Sequence, residues 1–271
     1  MNIQELHYPP GADYRKGSPH LSHLVLHDRL VEVLRGIVRE LSDRGLPLRV
    51  LEIGAGHGGF TESALAMGCD VTAVDMSRPS VEELERRFGM NPRLTTVYDP
   101  DGNLKGVDGD YSMLMFVSVL HHIPDYITFL QEACQRLRTD GALLTLQDPT
   151  WYPRHPASYR LAQASYFAWR LGQGNLLGGL QTRIRRMRGI LDETNPHDMV
   201  EYHVVRNGVD EQSVVSFARE AFTKVALIPY WSSQLGPVQH LGDRLGLHSS
   251  FGVVAQGYRP GGTTGIRPAR T

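Results

Sequence analysis

The period of the hydrophobic positions changes several times along the chain, and each change marks an element. After an opening stretch rich in Pro, Gly and His that runs to Ser22, the residues Leu24, Leu26, Leu30, Val33, Leu34, Ile37, Val38 and Leu41 recur at helical spacing. The pattern predicts a loop or lid followed by a helix. "LPLRVLEI" is a short apolar run entering a glycine turn, and "FTESALAMG" leaves the turn with helical character and a stop at Gly68. "DVTAVD" predicts a second strand ending at Asp75, "RPSVEELERRFG" a helix with Pro79 near its start, and "RLTTVYD" a third strand. "YSMLMFVSVL" is apolar without alternation, as a strand buried on both faces would be. It is followed by the amphipathic helix "DYITFLQEACQRLR" and a fifth strand, "GALLTLQD". Strands alternating with helices at this rhythm predict a parallel sheet covered by helices on both faces.

After Asp148 the rhythm breaks. Residues from about Trp151 to Asn207 are rich in aromatic and basic side chains in helical patterns, including "SYRLAQASYFAWRLG" and "RIRRMRG", with "VEYHVV" as a candidate strand. This reads as an insertion folded over the sheet. The alternation resumes with the helix "DEQSVVSFAREAF", the strand "KVALIPYWSS" and a last strand "FGVVAQGY", and the tail "GGTTGIRPART" is expected to be disordered. The expected division is a lid and helix over 1–45, a ligand-binding core over 46–150, a helical insertion over 151–207, the remainder of the core sheet over 208–260 and a tail over 261–271.

Composition narrows the function classes. The 28 Lys and Arg against 29 acidic residues, for a formal net charge of -1, leave no global positive field to gather nucleic acid or anionic lipid. The two cysteines, Cys69 and Cys134, form neither a disulfide framework nor a metal-ligand cluster, which fits a reducing, cytoplasmic compartment. No run approaches the ~20 apolar residues that span a bilayer, and the first residues lack the apolar stretch of a signal peptide.

The glycine turn carries the chemistry. In "VLEIGAGHGGF", Gly54, Gly56 and Gly59 satisfy the G-x-G-x-x-G spacing of a nucleotide-binding turn, in which bare backbone approaches a ligand at a helix start. Asp75, 23 positions after Glu52, ends the following strand, where a carboxylate can take both hydroxyls of a ribose. Glu52 would repel a pyrophosphate but suits a ligand bearing an ammonium and a sulfonium, as S-adenosylmethionine does.

"VLEIGAGHGGFTESALAMGCDVTAVDMS" followed by "VLHHIPDYITFLQEACQRLRTDGALLTLQD" resembles the class I S-adenosylmethionine-dependent methyltransferases, and especially their bacterial small-molecule, natural-product branch. The resemblance spans Val50 to Asp148. It implies an α/β, Rossmann-like, doubly wound, seven-stranded and mostly parallel sheet with an antiparallel last strand, and a helical lid inserted after strand 5. It implies that Glu52, Gly54, Gly56 and Gly58 or Gly59 surround the methionine part of S-adenosyl-L-methionine, that Asp75 holds the ribose and that Met76 lies against adenine. Asp99 or Asp101 would stand near the adenine amino group, or both are turn residues. Phe116 and Val117 would offer backbone to the ammonium.

Methyl transfer needs an aligned nucleophile, and a hydroxyl or ammonium nucleophile must also lose a proton. His121 and His122 follow the fourth strand and Asp148 ends the fifth, both at the carboxyl edge where α/β sheets bind ligands. In related sugar and polyketide methyltransferases such a His and acid act together, so one of the two histidines is the candidate base and Asp148 its orienting partner. His20, in the lid, is a further candidate. No metal is expected, because His20, His23 and His27 lack accompanying carboxylates. Tyr152, Tyr159, Tyr166, Phe167 and Trp169 would line an acceptor pocket or form the insertion's own core, and Arg183, Arg185, Arg186 and Arg188 would bind an anionic group or form a solvated face. The expected activity is O-methylation of a small-molecule acceptor, compatible with a homodimer. The alternatives are N- or C-methylation, a methyltransferase-like protein with another activity, and an NAD-dependent oxidoreductase, which lacks support from any Tyr-x-x-x-Lys pair.

Overall fold

The computed structural model describes residues 18–172 and 207–261. Within them one sheet of seven strands runs in the order β3-β2-β1-β4-β5-β7-β6. The strands are β1 (Arg49–Ile53), β2 (Asp70–Asp75), β3 (Leu94–Tyr98), β4 (Tyr111–Val117), β5 (Leu137–Pro149), β6 (Phe222–Tyr230) and β7 (Ser250–Tyr258). The first five pair in parallel, whereas β7 lies antiparallel between β5 and β6. The described helices are α1 (Pro19–Ser22), α2 (Leu24–Asp43), α3 (Gly59–Ala66), α4 (Arg78–Phe88), α5 (Tyr126–Cys134), α6 (Pro156–Gly172), α7 (Glu211–Ala221) and α8 (Gly236–Arg244). This is the doubly wound, Rossmann-like arrangement with an antiparallel last strand.

Two cores explain the unbroken apolar strands. Met113 and Met115 of β4 pack with Leu30, Leu34, Phe60 and Leu84 of α2, α3 and α4 on one face. The alternate residues Leu114 and Phe116 pack with Leu130, Val214 and Phe217 of α5 and α7 on the other. A strand with period two and helices on both faces has no polar side to show. In α2 the buried residues are Leu26, Leu30, Leu34, Ile37, Val38 and Leu41, a stripe that each fully buried Leu stabilises by roughly 1.5–3 kcal/mol. Leu24, counted with that stripe by spacing, is 74% exposed, because it opens the helix beyond the covered face. Three helix starts are capped by side chains close by in sequence. Ser77 accepts from the Ser80 amide, Asp125 from Thr128 and Asp210 from Gln212.

The structure departs from the pattern in two places near the site. β6 stops at Tyr230, so Trp231, Ser232 and Ser233 leave the sheet. Between β6 and β7 the chain forms α8, which the apolar pattern does not announce. A Cβ on Gly242 of that helix would lie 2.3 Å from the Trp231 ring, so this glycine lets the indole pack flat on the helix. Several sequence expectations lie outside the described residues: the opening stretch before Ser18, "RIRRMRG" with Arg183, Arg185, Arg186 and Arg188, "VEYHVV", and the tail after Gly261. In the described part of the insertion, Tyr152 stacks on Tyr159 at 3.9 Å and Tyr166 on Trp169 at 5.9 Å.

Candidate active site

The strand order reverses between β1 and β4, and the turn after β1 lies at the carboxyl edge of that crevice. Gly54 and Gly58 have φ of 68° and 79°, which only glycine adopts without strain. A Cβ on Gly54 would come within 2.6 Å of Val119, and one on Gly58 within 2.7 Å of Leu84 and Phe88. Gly58 is the N-cap of α3 and Gly59 its first residue. Leu21 of α1 rests on Gly59, where a Cβ would meet it at 2.5 Å. The segment before α2 therefore lies directly over the turn.

A cleft of about 250 Å³ opens there. Glu52, Gly54, Gly56, Gly59, Asp75, Met76, Asp99, Val117, His122 and His20 all line it. Gly58 and Phe116 do not. Gly58 is taken up in capping α3, and the Phe116 side chain is wholly buried with its ring edge-on to Phe129, so Val117 and Ser118 form the wall at the end of β4. Asp99 rather than Asp101 borders the cleft. Its Oδ2 accepts from the Leu104 amide at 2.7 Å, which turns its carboxylate inward from the loop after β3.

The two acids singled out by spacing are both buried. Asp75 Oδ2 accepts from the Gly56 amide and Oδ1 from the Ser77 amide, each at 2.8 Å. The Met76 backbone amide is a third donor to this carboxylate, which still has acceptor capacity for a ligand. Burial pushes the Asp75 carboxyl up from its ordinary value, against the pull of the backbone donors. Glu52 accepts from Thr61 Oγ1 at 2.5 Å. Burial, helped by the charge of Asp75, raises its carboxyl to about 8 despite that hydrogen bond. The described residues lining the cleft include these two acids and Asp99 but no Lys or Arg.

Beyond the cleft wall the chain makes a 3-10 turn, Leu120–His122, and the carboxylate of Asp148 comes up beneath it. His121 Nδ1 lies 2.9 Å from Asp148 Oδ1, which also accepts from the His121 backbone amide at 3.2 Å. Asp148 is fully buried. With the carboxylate on Nδ1, the ring carries its proton there. Burial lowers His121 to about 4 and raises Asp148 to about 7, so the imidazole is neutral near pH 7. His121 and Asp148 do not line the cleft. His122 does, and its ring centroid lies 4.0 Å from that of His121. His20 enters the cleft from α1; burial, with the nearby His27 and His121, lowers it to about 3. Its Nδ1 has no hydrogen-bond partner among the described residues. Among those residues no group of three His, Cys, Asp or Glu side chains is placed to hold a metal ion, and no helix is long and apolar enough to cross a membrane.

Sequence reasoning passed over Thr61, Ser118 and Gln147. Ser118 and Gln147 have φ of 62° and 63°, and Thr61 is fully buried against Glu52. No local signal marks Ser118 and Gln147, which are placed by partners far along the chain, and Thr61 is placed by Glu52 across the glycine turn.

The model of a family described as a methyltransferase domain matches residues 25–183, more than half of the chain. The chain belongs to the methyltransferase domain family. Its fold is that of the class I S-adenosylmethionine-dependent methyltransferases. Among curated proteins it is similar to the ubiquinone biosynthesis O-methyltransferase of Xanthomonas oryzae pv. oryzae, with 30% identity over 135 residues, 46% of this chain and 53% of that protein. It thus spans about half the length of the curated relatives it matches. The fold resembles the CurJ carbon methyltransferase, with a TM-score of 0.59 and 15% identity over 96% of this chain and 62% of that one. It also resembles the N-methyltransferase NodS from Bradyrhizobium japonicum WM9, solved with S-adenosyl-L-homocysteine, with a TM-score of 0.55 and 16% identity over 96% of this chain and 100% of that one.

Proposed function

We propose that the chain uses S-adenosyl-L-methionine to methylate a hydroxyl of a small-molecule acceptor of the natural-product kind. The observation that carries this reading is the charge of the cleft: three carboxyls and no Lys or Arg among its described lining residues. A dinucleotide pyrophosphate would be repelled, whereas a sulfonium and an ammonium are attracted. This separates the reading from an NAD-dependent oxidoreductase sharing the same glycine turn. The residues present fit the cofactor. Asp75 would take the ribose hydroxyls with its remaining acceptor capacity, Glu52 would face the cationic methionine end, and Met76 and Asp99 would border the adenine. When bound, the cofactor supplies a methyl group already activated for displacement.

The chain's own part is to place the acceptor, exclude water and remove a proton. His121 takes the hydroxyl proton at Nε2 while Asp148, on Nδ1, steadies the imidazolium that results. The choice of oxygen draws on the curated O-methyltransferase relatives. Two buried free cysteines accord with work in a reducing cytoplasm. The test is a titration with S-adenosylmethionine and with NAD, followed by turnover of the His121→Ala variant. Binding of the first only, with turnover lowered roughly 10²–10⁴-fold at unchanged cofactor affinity, is the expected outcome. Near-normal turnover of His121→Ala would remove the base assignment.

A further inference from the structure

The C-terminal end of β5 is irregular where it meets the site. Pairing with β7 slips between Thr145 and Asp148, and Gln147 inside the slip has a φ of 63°, a left-handed conformation costly for a non-glycine residue. Bulges of this kind re-aim side chains, and they gather next to active sites. Gln147 is held from both sides. Its amide N–H donates to Tyr230 Oη at 2.6 Å, and its side-chain Nε2 donates to Ser232 Oγ at 2.6 Å. Ser232 is fixed in turn, its amide donating to Ser249 Oγ and its carbonyl accepting from the same hydroxyl. The residue is only 8% exposed, yet its Oε1 has no partner among the described residues. Whichever way the amide is turned, one of its two polar atoms bonds Ser232 and the other is left without a partner.

The same neighbourhood holds two further buried polar atoms without partners among the described residues, Asp148 Oδ2 and His20 Nδ1. Asp148 is the next residue along β5. His20 shares its short segment with His23, whose Nε2 lies 2.7 Å from the carbonyl of Ser233, the residue after Ser232. On the other side, the Leu146 carbonyl just before Gln147 accepts from Ser118, which lines the cleft. Gln147 does not itself line the cleft; it stands at the same sheet edge, one hydrogen bond behind Ser118 and bonded to Tyr230 and Ser232 at the end of β6. Buried groups are normally satisfied, so a strained, immobilised amide with one idle atom beside a buried acid marks a place where a ligand completes the bonding.

We propose that Gln147 is a recognition residue for the acceptor, taking the hydrogen bond of a second hydroxyl on a polyhydroxylated acceptor whose other hydroxyl is methylated. The inference rests on the methyltransferase reading above. It differs from it in assigning the acceptor class and a residue outside the base. A hydroxyl both donates and accepts, so it meets either orientation of the amide. A Gln147→Leu variant keeps the volume but cannot bond that hydroxyl, and it leaves Glu52 and Asp75 untouched.

The experiment measures binding by ligand-observed NMR to the full chain saturated with S-adenosylhomocysteine. The probes are two pairs, catechol against phenol and cis-cyclohexane-1,2-diol against cyclohexanol. In the unmodified chain the diol of at least one pair is expected to bind about tenfold tighter than its mono-hydroxyl partner, and Gln147→Leu is expected to abolish the difference at unchanged S-adenosylhomocysteine affinity. Thermal unfolding supplies a second readout. With one amide atom idle and only the bond to Ser232 to lose, Gln147→Leu and Gln147→Met are expected to melt only a few degrees below the unmodified chain. Equal binding of diols and mono-ols, no binding of either, a preference surviving in Gln147→Leu, or a melting loss of many degrees in both variants each overturn the proposal. Loss of S-adenosylhomocysteine binding by the unmodified chain would instead strike the methyltransferase reading. His121→Asn, expected to keep the diol preference while losing turnover, separates recognition from proton removal.

Discussion

Glu52 offers the sharpest test of the charge argument, because burial has driven its carboxyl up to about 8. In the absence of a cation the group is mostly protonated below that pH, with the Thr61 hydroxyl bonded to it. A positive charge held about 4 Å away gains about 4 kcal/mol at an effective dielectric constant of about 20. Since 1.36 kcal/mol corresponds to one pH unit, that pulls the carboxyl well down from about 8. The complex therefore binds fewer protons than the free protein in a window that ends at about pH 8. The sign follows: cofactor affinity rises with pH across that window, by up to about tenfold per unit, and flattens above it. Calorimetry at pH 6.5 in two buffers of different ionisation enthalpy counts the protons, and about one is expected to be released per cofactor bound. Glu52→Gln removes the release and the slope while retaining a hydrogen-bonding partner for Thr61, and it corrects for titration of the cofactor's own amine. If the wild-type chain releases no proton at pH 6.5, or if Glu52→Gln keeps the wild-type slope, Glu52 does not face a cation and the argument from charge fails.

Other outcomes follow from the same geometry. Asp75→Ala removes a buried carboxylate from the cleft and is expected to weaken S-adenosylmethionine binding by about 1.5–3 kcal/mol; unchanged affinity in calorimetry would take Asp75 out of the ribose role. The free protein is expected to melt lower at pH 8 than at pH 6.5. Burial raises Glu52 to about 8 and Asp148 to about 7, so the folded state holds protons that the unfolded chain has lost, and stability falls as pH rises through those values. The lowered His20 and His121, at about 3 and about 4, act in the opposite direction only below the unfolded histidine value near 6.5, so they do not offset the loss in this window. A melting temperature flat from pH 6.5 to 8 would contradict the burial of both acids. Gly58→Ala is expected to cost more stability in urea unfolding than Gly56→Ala. Both have positive φ, worth roughly 1–2 kcal/mol, but only at Gly58 does the new Cβ meet Leu84 and Phe88; equal losses would mean that packing behind the turn yields freely.

The fold and the residues around the glycine turn were legible because their determinants are local. A strand, a glycine turn and a helix in immediate succession fix where the backbone of Gly54 to Gly59 goes, and the acid closing the next strand arrives beside it through one short crossover. Glu52 and Asp75 were thus brought to the cleft by spacing alone, and the unbroken apolar run of β4 already implied helices on both faces. What the sequence left open were choices between neighbours. His121 and His122 are adjacent in one 3-10 turn, and only Asp148, 27 residues away, decides which ring it holds. Asp99 prevails over Asp101 because the Leu104 amide folds back onto it. Period two along β4 sends the Phe116 side chain into the core, while Val117 reaches the cleft. α8 escaped notice because no apolar period marks it, and its place is set by Trp231 packing on Gly242. Gln147 carries no sequence signal at all. Its left-handed backbone is imposed by the slip against β7 and by Tyr230 and Ser232, more than 80 positions away, and long-range packing of that kind decides side-chain direction where local preference is indifferent.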